Sequence, residues 1–174
     1  NTPVMMQLRI RSCHVQGEFI AKNNRAPKVG TKNRFTDPAV FDYDRLAHPP
    51  VTFSHEKLKV SARLPAAQRY IVEHGLNELI EGEQKSVGII VQGGIYNILM
   101  RRLQVMGLAD AFGNSKIPVL VLNVTHPLVP DQITDFCAGK NAVLMVEEGN
   151  PEFMEHQVSS LLRKADLSTK LHGK

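Results

Sequence analysis

The segment Ser86-Val-Gly-Ile-Ile-Val-Gln-Gly-Gly-Ile-Tyr-Asn97 indicates most clearly how this 174-residue chain folds. Its first part, residues 86–92, is almost continuously hydrophobic and rich in β-branched side chains, as strands are when both faces of their sheet are covered. The glycine pair Gly93-Gly94 then breaks the run, and a helix-like segment follows from Tyr96 to Met106. The stretch therefore predicts one strand–turn–helix unit of a parallel sheet.

Two further units of the same kind follow along the chain. Ile117 to Val124 is an apolar run that precedes the helix-like segment Pro130 to Ala138. Ala142 to Glu147 is a second such run, and it precedes Pro151 to Lys164. Three successive units of this kind predict an α/β fold, a three-layer sandwich in which helices cover both faces of a mostly parallel sheet with right-handed crossovers.

The N-terminal part of the chain has a different pattern. Val4 to Arg11 alternates apolar and polar side chains, which is typical of a half-buried strand, and a single strand needs a sheet to join. Residues 17–60 contain many breakers and predict a long, irregular connector. Because compact domains seldom contain structureless connections longer than about 15 residues, we predict a domain boundary, with residues 1–60 as an extension and residues 61–174 as the α/β domain.

An amphipathic helix is predicted at the start of the α/β domain. Leu64, Ile71 and Leu79 belong to one apolar face with helical spacing, and Pro65 suits the first turn of a helix. We expect this helix to run from Leu64 to Leu79 and Gly82 to end it.

Charge and hydropathy exclude several classes of protein. The net charge of +4 comes from residues 1–60, which carry ten Lys or Arg against five Asp or Glu, while residues 61–174 carry eleven against twelve. The basic run from Lys22 to Arg34 predicts a solvated linker and no nucleic-acid partner, because aromatic platforms are missing. Apolar runs of about five residues predict no membrane span. The first residue, Asn1, and the missing leader pattern suggest an internal piece of a longer protein.

The two cysteines, Cys13 and Cys137, are far apart and belong to no CxxC pair. They predict neither a disulfide framework nor a metal site, and they fit a reducing, cytoplasmic location. Cys13 and His14 are adjacent, but neighbouring strand residues point to opposite faces, so a nucleophile–base pair is not expected there.

The first candidate ligand turn contains Gly93, Gly94 and Tyr96. In an open parallel sheet the turns after the strands form the ligand-binding edge. A glycine pair at a helix N-terminus can admit a phosphate group, or it can serve the tight turn alone. The GxGxxG and GK[ST] patterns are missing, which disfavours a dinucleotide or nucleotide site of the usual kinds.

The other two turns supply polar side chains to the same edge. Asn123, Thr125 and His126 follow the second run, and His126 is either an acid–base group or, more simply, a structural or interface histidine. Glu147 and Glu148 follow the third run. They either stabilise the next helix through its dipole or take part in metal or acid–base chemistry, and the former is the simpler interpretation.

Three segments carry a resemblance to a known family: Gly88 to Asn97, Pro118 to Pro130, and Ala142 to Glu148. In this order they resemble the second domain of the alpha subunit in the indolepyruvate ferredoxin oxidoreductase family, a domain similar to the C-terminal domain of transketolase. Pro3 to His14 similarly resembles the last strand of that subunit's thiamine-pyrimidine domain. Residues 1–60 would then be the end of that domain and a basic linker.

The resemblance implies a thiamine diphosphate-dependent enzyme. Members oxidatively decarboxylate an aryl 2-oxoacid such as indolepyruvate to an acyl-CoA, and electrons leave through iron–sulfur clusters to ferredoxin. Thiamine diphosphate, magnesium and [4Fe-4S] clusters are thus implied for the full enzyme, with coenzyme A, ferredoxin, the other domains of the subunit and a beta subunit as partners.

The resemblance transfers few functional residues to this chain. Arg11 matches a substrate-contacting arginine, although Ile10 and Ser12 replace the threonines that usually surround it, and His126 stands where an aromatic residue is more usual. The chain contains no Gly-Asp-Gly motif and no four-cysteine run, so no catalytic residue or metal ligand is assigned and no cofactor is expected in this piece. We expect a non-catalytic, inactive middle domain. The alternative is a stand-alone, flavodoxin-like module that binds a phosphate-bearing ligand.

Overall fold

The computed structural model describes residues 4–8, 14, 16–18, 20 and 42–174. The chain divides by its internal contacts into two units, Asn1–Tyr43 and Asp44–Lys174. Of the strand expected from Val4 to Arg11, residues 4–8 are exposed and form no strand, and residues 9–11 lie outside the described residues. The predicted strand is therefore wrong for residues 4–8, while its assignment to a preceding domain stays a prediction.

A continuous helical segment precedes the sheet. It consists of α1 (Val51–Leu58), a π-helical stretch (Lys59–Arg63) and α2 (Leu64–Glu73). The prediction of an irregular connector up to residue 60 is therefore wrong for its last ten residues. The helix α1 could not be predicted from the sequence, because it buries none of its residues and so lacks an apolar stripe of helical period.

The helix α2 ends earlier than its sequence suggested. Gly75 adopts a positive φ of 55°, the backbone N–H of Leu76 bonds to the carbonyl of Ile71 at 3.0 Å, and that of Gly75 bonds to Val72 at 3.1 Å. This is the helix-ending motif in which a left-handed glycine satisfies the last carbonyls. The predicted extension to Leu79 is wrong, because residues beyond Gly75 form the strand β1 (Glu78–Ile80).

Gly82 has a different role from the predicted helix stop. A Cβ atom at this position would collide with the backbone of Ile117 and Pro118. The glycine thus lets the chain that leaves β1 pass directly against the chain that enters the next strand of the sheet.

The sheet has five strands in the order β1-β3-β2-β4-β5. β1 pairs antiparallel with β3, and all the other pairs are parallel. The four parallel strands are β2 (Val87–Gln92), β3 (Val119–Leu122), β4 (Ala142–Val146) and β5 (Lys170–His172). The predicted α/β fold with a mostly parallel sheet is confirmed, with one antiparallel strand at an edge.

Three helices follow the strands β2, β3 and β4. They are α3 (Tyr96–Val105), α4 (Pro130–Cys137) and α5 (Phe153–Lys164). Met100 and Leu103 of α3 pack on one face of the sheet, against side chains such as Val119. α4 and α5 pack on the other face, where Ile133 and Val158 are completely buried. The two cores confirm the three-layer arrangement. No helix in the described part of the chain has the length and apolar character needed to cross a membrane.

Candidate functional site

The carboxyl edge of the sheet has a topological switch point at β2. The chain leaves β2 towards α3 on one face, whereas it leaves the neighbouring strands β3 and β4 towards α4 and α5 on the other. Connections that diverge in this way open a crevice outside the ends of the strands, which is where open α/β sheets bind ligands.

A cleft of about 350 Å³ lies at this edge. It brings together Thr125 and His126 from the turn after β3 with Glu147 and Glu148 from the turn after β4. Residues that the sequence did not single out complete it: Gln92, Gly149, Asn150, Pro151, Phe153, Met154 and Gln157. We call this feature the carboxyl-edge cleft. It unites four of the eight turn residues that the sequence suggested.

Gln92, the last residue of β2, contacts the turn after β4 and the start of α5 in the carboxyl-edge cleft. Its side-chain oxygen accepts a hydrogen bond of 2.8 Å from the backbone N–H of Glu148, and its side-chain nitrogen contacts the sulfur of Met154 at 3.2 Å. The only sequence signal for this role is a polar residue at the end of an apolar run, next to the turn.

Glu147 caps the helix α5. Its carboxylate accepts hydrogen bonds from the backbone N–H groups of Met154 at 3.0 Å and Glu155 at 3.1 Å. Glu152, which directly precedes the helix, provides no side-chain cap. A carboxylate that binds free N–H groups at a helix N-terminus stabilises both the helix and its own charge. Glu147 is thus placed to stabilise the helix through its dipole. Glu148 is exposed and lines the cleft.

Asn123 and Gly93 pack against each other where β2 and β3 end. The amide nitrogen of Asn123 donates to the carbonyl of Leu76 at 3.0 Å and to the carboxylate of Glu78 at 2.8 Å. A Cβ atom at Gly93 would collide with the amide oxygen of Asn123. Asn123 therefore fastens the edge strand β1, and Gly93 leaves room for it.

Gly94 and Tyr96 do not line the carboxyl-edge cleft. Gly94 is exposed, with no atom within 4 Å of where a Cβ would stand. Tyr96 packs with the core beneath α3. Phosphate binding at the glycine pair stays a prediction.

His126 is exposed and borders two adjoining clefts, the second of which contains Gln68 and Lys164. In the described part of the chain no carboxylate lies within ion-pair distance of its ring. An acid–base role and a structural or interface role for His126 therefore both stay predictions.

Two features of the described residues bear on metal and iron–sulfur binding. These residues contain no group of three or more His, Cys, Asp or Glu able to hold a metal ion. Cys137 is completely buried, and desolvation raises the pKa of its thiol to about 11, so it is not the thiolate that an iron–sulfur cluster requires. Arg11 and Cys13 lie outside the described residues.

Comparisons with known proteins agree with the family resemblance. The chain matches no protein-family model. Over 175 residues it is 27% identical to the indolepyruvate oxidoreductase subunit IorA of Methanothermobacter thermautotrophicus, an alignment that covers 99% of this chain. The chain is similar to IorA along almost its whole length. The IorA subunit of Methanothermobacter marburgensis is also 27% identical, over 173 residues.

The chain spans only 26% of the length of these IorA relatives. Among solved structures, it is similar to a 2-oxoglutarate:ferredoxin oxidoreductase from Magnetococcus marinus, with 19% identity and a TM-score of 0.40 over 74% of this chain and 21% of that one. The resemblance drawn from the sequence is thus confirmed by the IorA relatives.

Proposed function

We propose that the chain is a non-catalytic middle domain of a thiamine diphosphate-dependent oxidoreductase that converts an aryl 2-oxoacid, such as indolepyruvate, to an acyl-CoA and reduces ferredoxin. The observation that carries this proposal is the similarity to IorA along 99% of the chain. The relatives are named as subunits of indolepyruvate oxidoreductase, and this chain corresponds to about a quarter of each.

The carboxyl-edge cleft supports a bracing role rather than a catalytic one. Glu147 and Gln92 use their polar groups to hold the helix α5 and the turn after β4. His126 has no orienting carboxylate among the described residues. In our proposal residues 61–174 form a domain like the C-terminal domain of transketolase, and residues 1–60 end a thiamine-pyrimidine domain and link the two.

The proposal places the chemistry outside this chain. Thiamine diphosphate, magnesium and [4Fe-4S] clusters are bound by other parts of the enzyme, and its partners are the remaining domains, a beta subunit, coenzyme A and ferredoxin in the cytoplasm. In the intact subunit this domain holds the thiamine-binding domains in place and contributes to a subunit interface.

Calorimetric titration of the 174-residue chain with thiamine diphosphate and magnesium tests the non-catalytic role. We expect no binding, and tight binding would contradict the proposal. A thermal-shift panel with flavin mononucleotide and adenine nucleotides tests the flavodoxin-like alternative in parallel. A specific increase in melting temperature would favour that alternative, and its reduction in a Gly94→Val variant would locate the ligand at the glycine pair.

A further inference from the structure

A second cleft lies away from the carboxyl-edge cleft, along the edge strand β1. Its volume is about 420 Å³, within the range of small-molecule sites. It runs between β1 and α4, and the side chains of Asn77 and Gln132 line it. Lys85 and Lys140, from the loops that lead into β2 and β4, line it as well. We call it the β1 cleft.

The floor of the β1 cleft is apolar. Leu79 of β1 and Leu120 of β3 are paired directly across the antiparallel ladder, so their side chains project from the same face of the sheet. Leu120 is buried beneath the helical layer, whereas Leu79 is 55% exposed. The ring of Phe136 from α4 forms an adjacent wall. The cleft thus offers apolar surface that the helical layer leaves uncovered.

One lysine of the cleft is held in place without an anionic partner. The ammonium of Lys140 stands 4.6 Å from the centroid of the Phe136 ring, a cation–π contact. A Cβ atom at Gly88 would come within 3.0 Å of the aliphatic carbons of Lys140 and 2.8 Å of Phe136. Gly88 therefore allows both side chains to lie against β2. Within the described residues Lys140 forms no ion pair.

The remaining charges of the β1 cleft are one ion pair and one carboxylate. Lys85 and Glu81 are paired at 2.6 Å, and this contact lowers the pKa of Glu81, with a smaller contribution from Lys140. Asp135 of α4 is exposed and, in the described part of the chain, has no ion-pair partner. One cation and one anion are thus available to a ligand beside the apolar floor.

We propose that the β1 cleft binds a free α-amino acid with an apolar side chain. Lys140 receives the carboxylate, Asp135 receives the ammonium, and the side chain rests on Leu79, Leu120 and Phe136. A plain carboxylic acid fits less well, because it has no ammonium group to pair with the carboxylate of Asp135. This site is independent of the proposed oxidoreductase role and lies outside the cleft that carries it.

The test measures binding of L-phenylalanine to the 174-residue chain by calorimetry, against two analogues that each lack one charge. 3-Phenylpropionate has the ring and the carboxylate, and 2-phenylethylamine has the ring and the ammonium. We expect each analogue to bind about tenfold more weakly, or worse, because each loses one charge-assisted contact. Equal affinity for 3-phenylpropionate and phenylalanine would overturn the assignment to an amino acid, and no detectable phenylalanine binding would overturn the site.

Matched variants locate the ligand. We expect Lys140→Met to abolish the preference for phenylalanine over 2-phenylethylamine, and Asp135→Asn to abolish its preference over 3-phenylpropionate. Lys164→Met and Asp131→Asn change the same charges outside the cleft and should leave both preferences intact. The side chains of Lys140 and Asp135 are not fully buried, so we expect both cleft variants to fold, and circular dichroism checks this. Unchanged preferences in both cleft variants would contradict the proposal.

Discussion

The backbone N–H of Glu148 donates a 2.8 Å hydrogen bond to the side-chain oxygen of Gln92, and this bond joins the ends of two neighbouring parallel strands. The same side chain contacts the sulfur of Met154 at the start of α5. At the edge of the sheet where ligands usually bind, the polar groups of Gln92 are therefore engaged by the protein itself. This arrangement suits a domain that presents a fixed surface to its neighbours.

Replacing Gln92 with Leu removes the acceptor for Glu148 and the contact with Met154. We expect a loss of about 1 kcal/mol in the free energy of unfolding, measured by urea denaturation. The exposed N–H of Glu148 can bond to water once its acceptor is gone, so the loss corresponds to one ordinary hydrogen bond. Gln157→Leu is the control, since among the described residues the Gln157 amide bonds only to the carbonyl of Phe153 in its own helix. Equal effects of the two variants would show that the Gln92 bond adds nothing to stability.

Glu147→Ala removes the carboxylate that caps α5. We expect the free energy of unfolding to fall by about 1 kcal/mol, as for other helix caps, in a urea titration at neutral pH. Glu152→Ala removes the same charge next to the helix but preserves both bonds, because Glu152 provides no side-chain cap. If the two variants lose the same stability, net charge rather than capping explains the effect.

Replacement by alanine should change the stability of the protein at one glycine of the first turn and not at the other. Gly93→Ala forces a methyl group onto the amide oxygen of Asn123, so we expect a loss of about 1–3 kcal/mol and a lower melting temperature. Gly94→Ala places its methyl group in open space and should change stability by no more than about 0.5 kcal/mol. Similar melting temperatures for the two variants would contradict the close contact between Gly93 and Asn123.

The thiol of Cys137 should be inert in the folded chain. It is completely buried, and desolvation raises its pKa to about 11, so at pH 8 it is protonated and shielded from reagents. In a Cys13→Ser variant, we expect Ellman's reagent to detect no free thiol until urea unfolds the protein, and then one. Rapid reaction under native conditions would show that α4 opens readily.

The central units of the fold could be predicted from the sequence, because the apolar runs of β2, β3 and β4 are almost continuous and most of their side chains are covered. β5 could not, because three residues that include Lys170 and His172 carry no such pattern. The boundary between α2 and β1 was missed because Leu76 and Leu79 continue a helical spacing, although Gly75 has already ended the helix through backbone bonds.

The location of the candidate site could be predicted from the sequence, but the contacts made by its side chains could be predicted only in part. The rule for parallel sheets placed Thr125, His126 and Glu147 at one edge. The partner of Gln92 lies 56 residues away in the chain, and the contact between Gly93 and Asn123 depends on the pairing of β2 with β3. Such contacts arise from strand register, which local sequence does not encode. Arg11, the one substrate-binding residue implied by the resemblance, lies outside the described residues and stays a prediction.

The most direct test of the proposed function is turnover by the natural polypeptide that contains this chain, purified anaerobically with its partner subunit and loaded with thiamine diphosphate and magnesium. The assay follows reduction of methyl viologen with indolepyruvate and coenzyme A, and phenylpyruvate and 2-oxoglutarate are tested in parallel. We predict reduction that requires both coenzyme A and an aryl 2-oxoacid, while the 174-residue chain alone gives none. A loaded complex that reduces no acceptor with any of these 2-oxoacids, or an isolated chain that does so, would contradict the assignment.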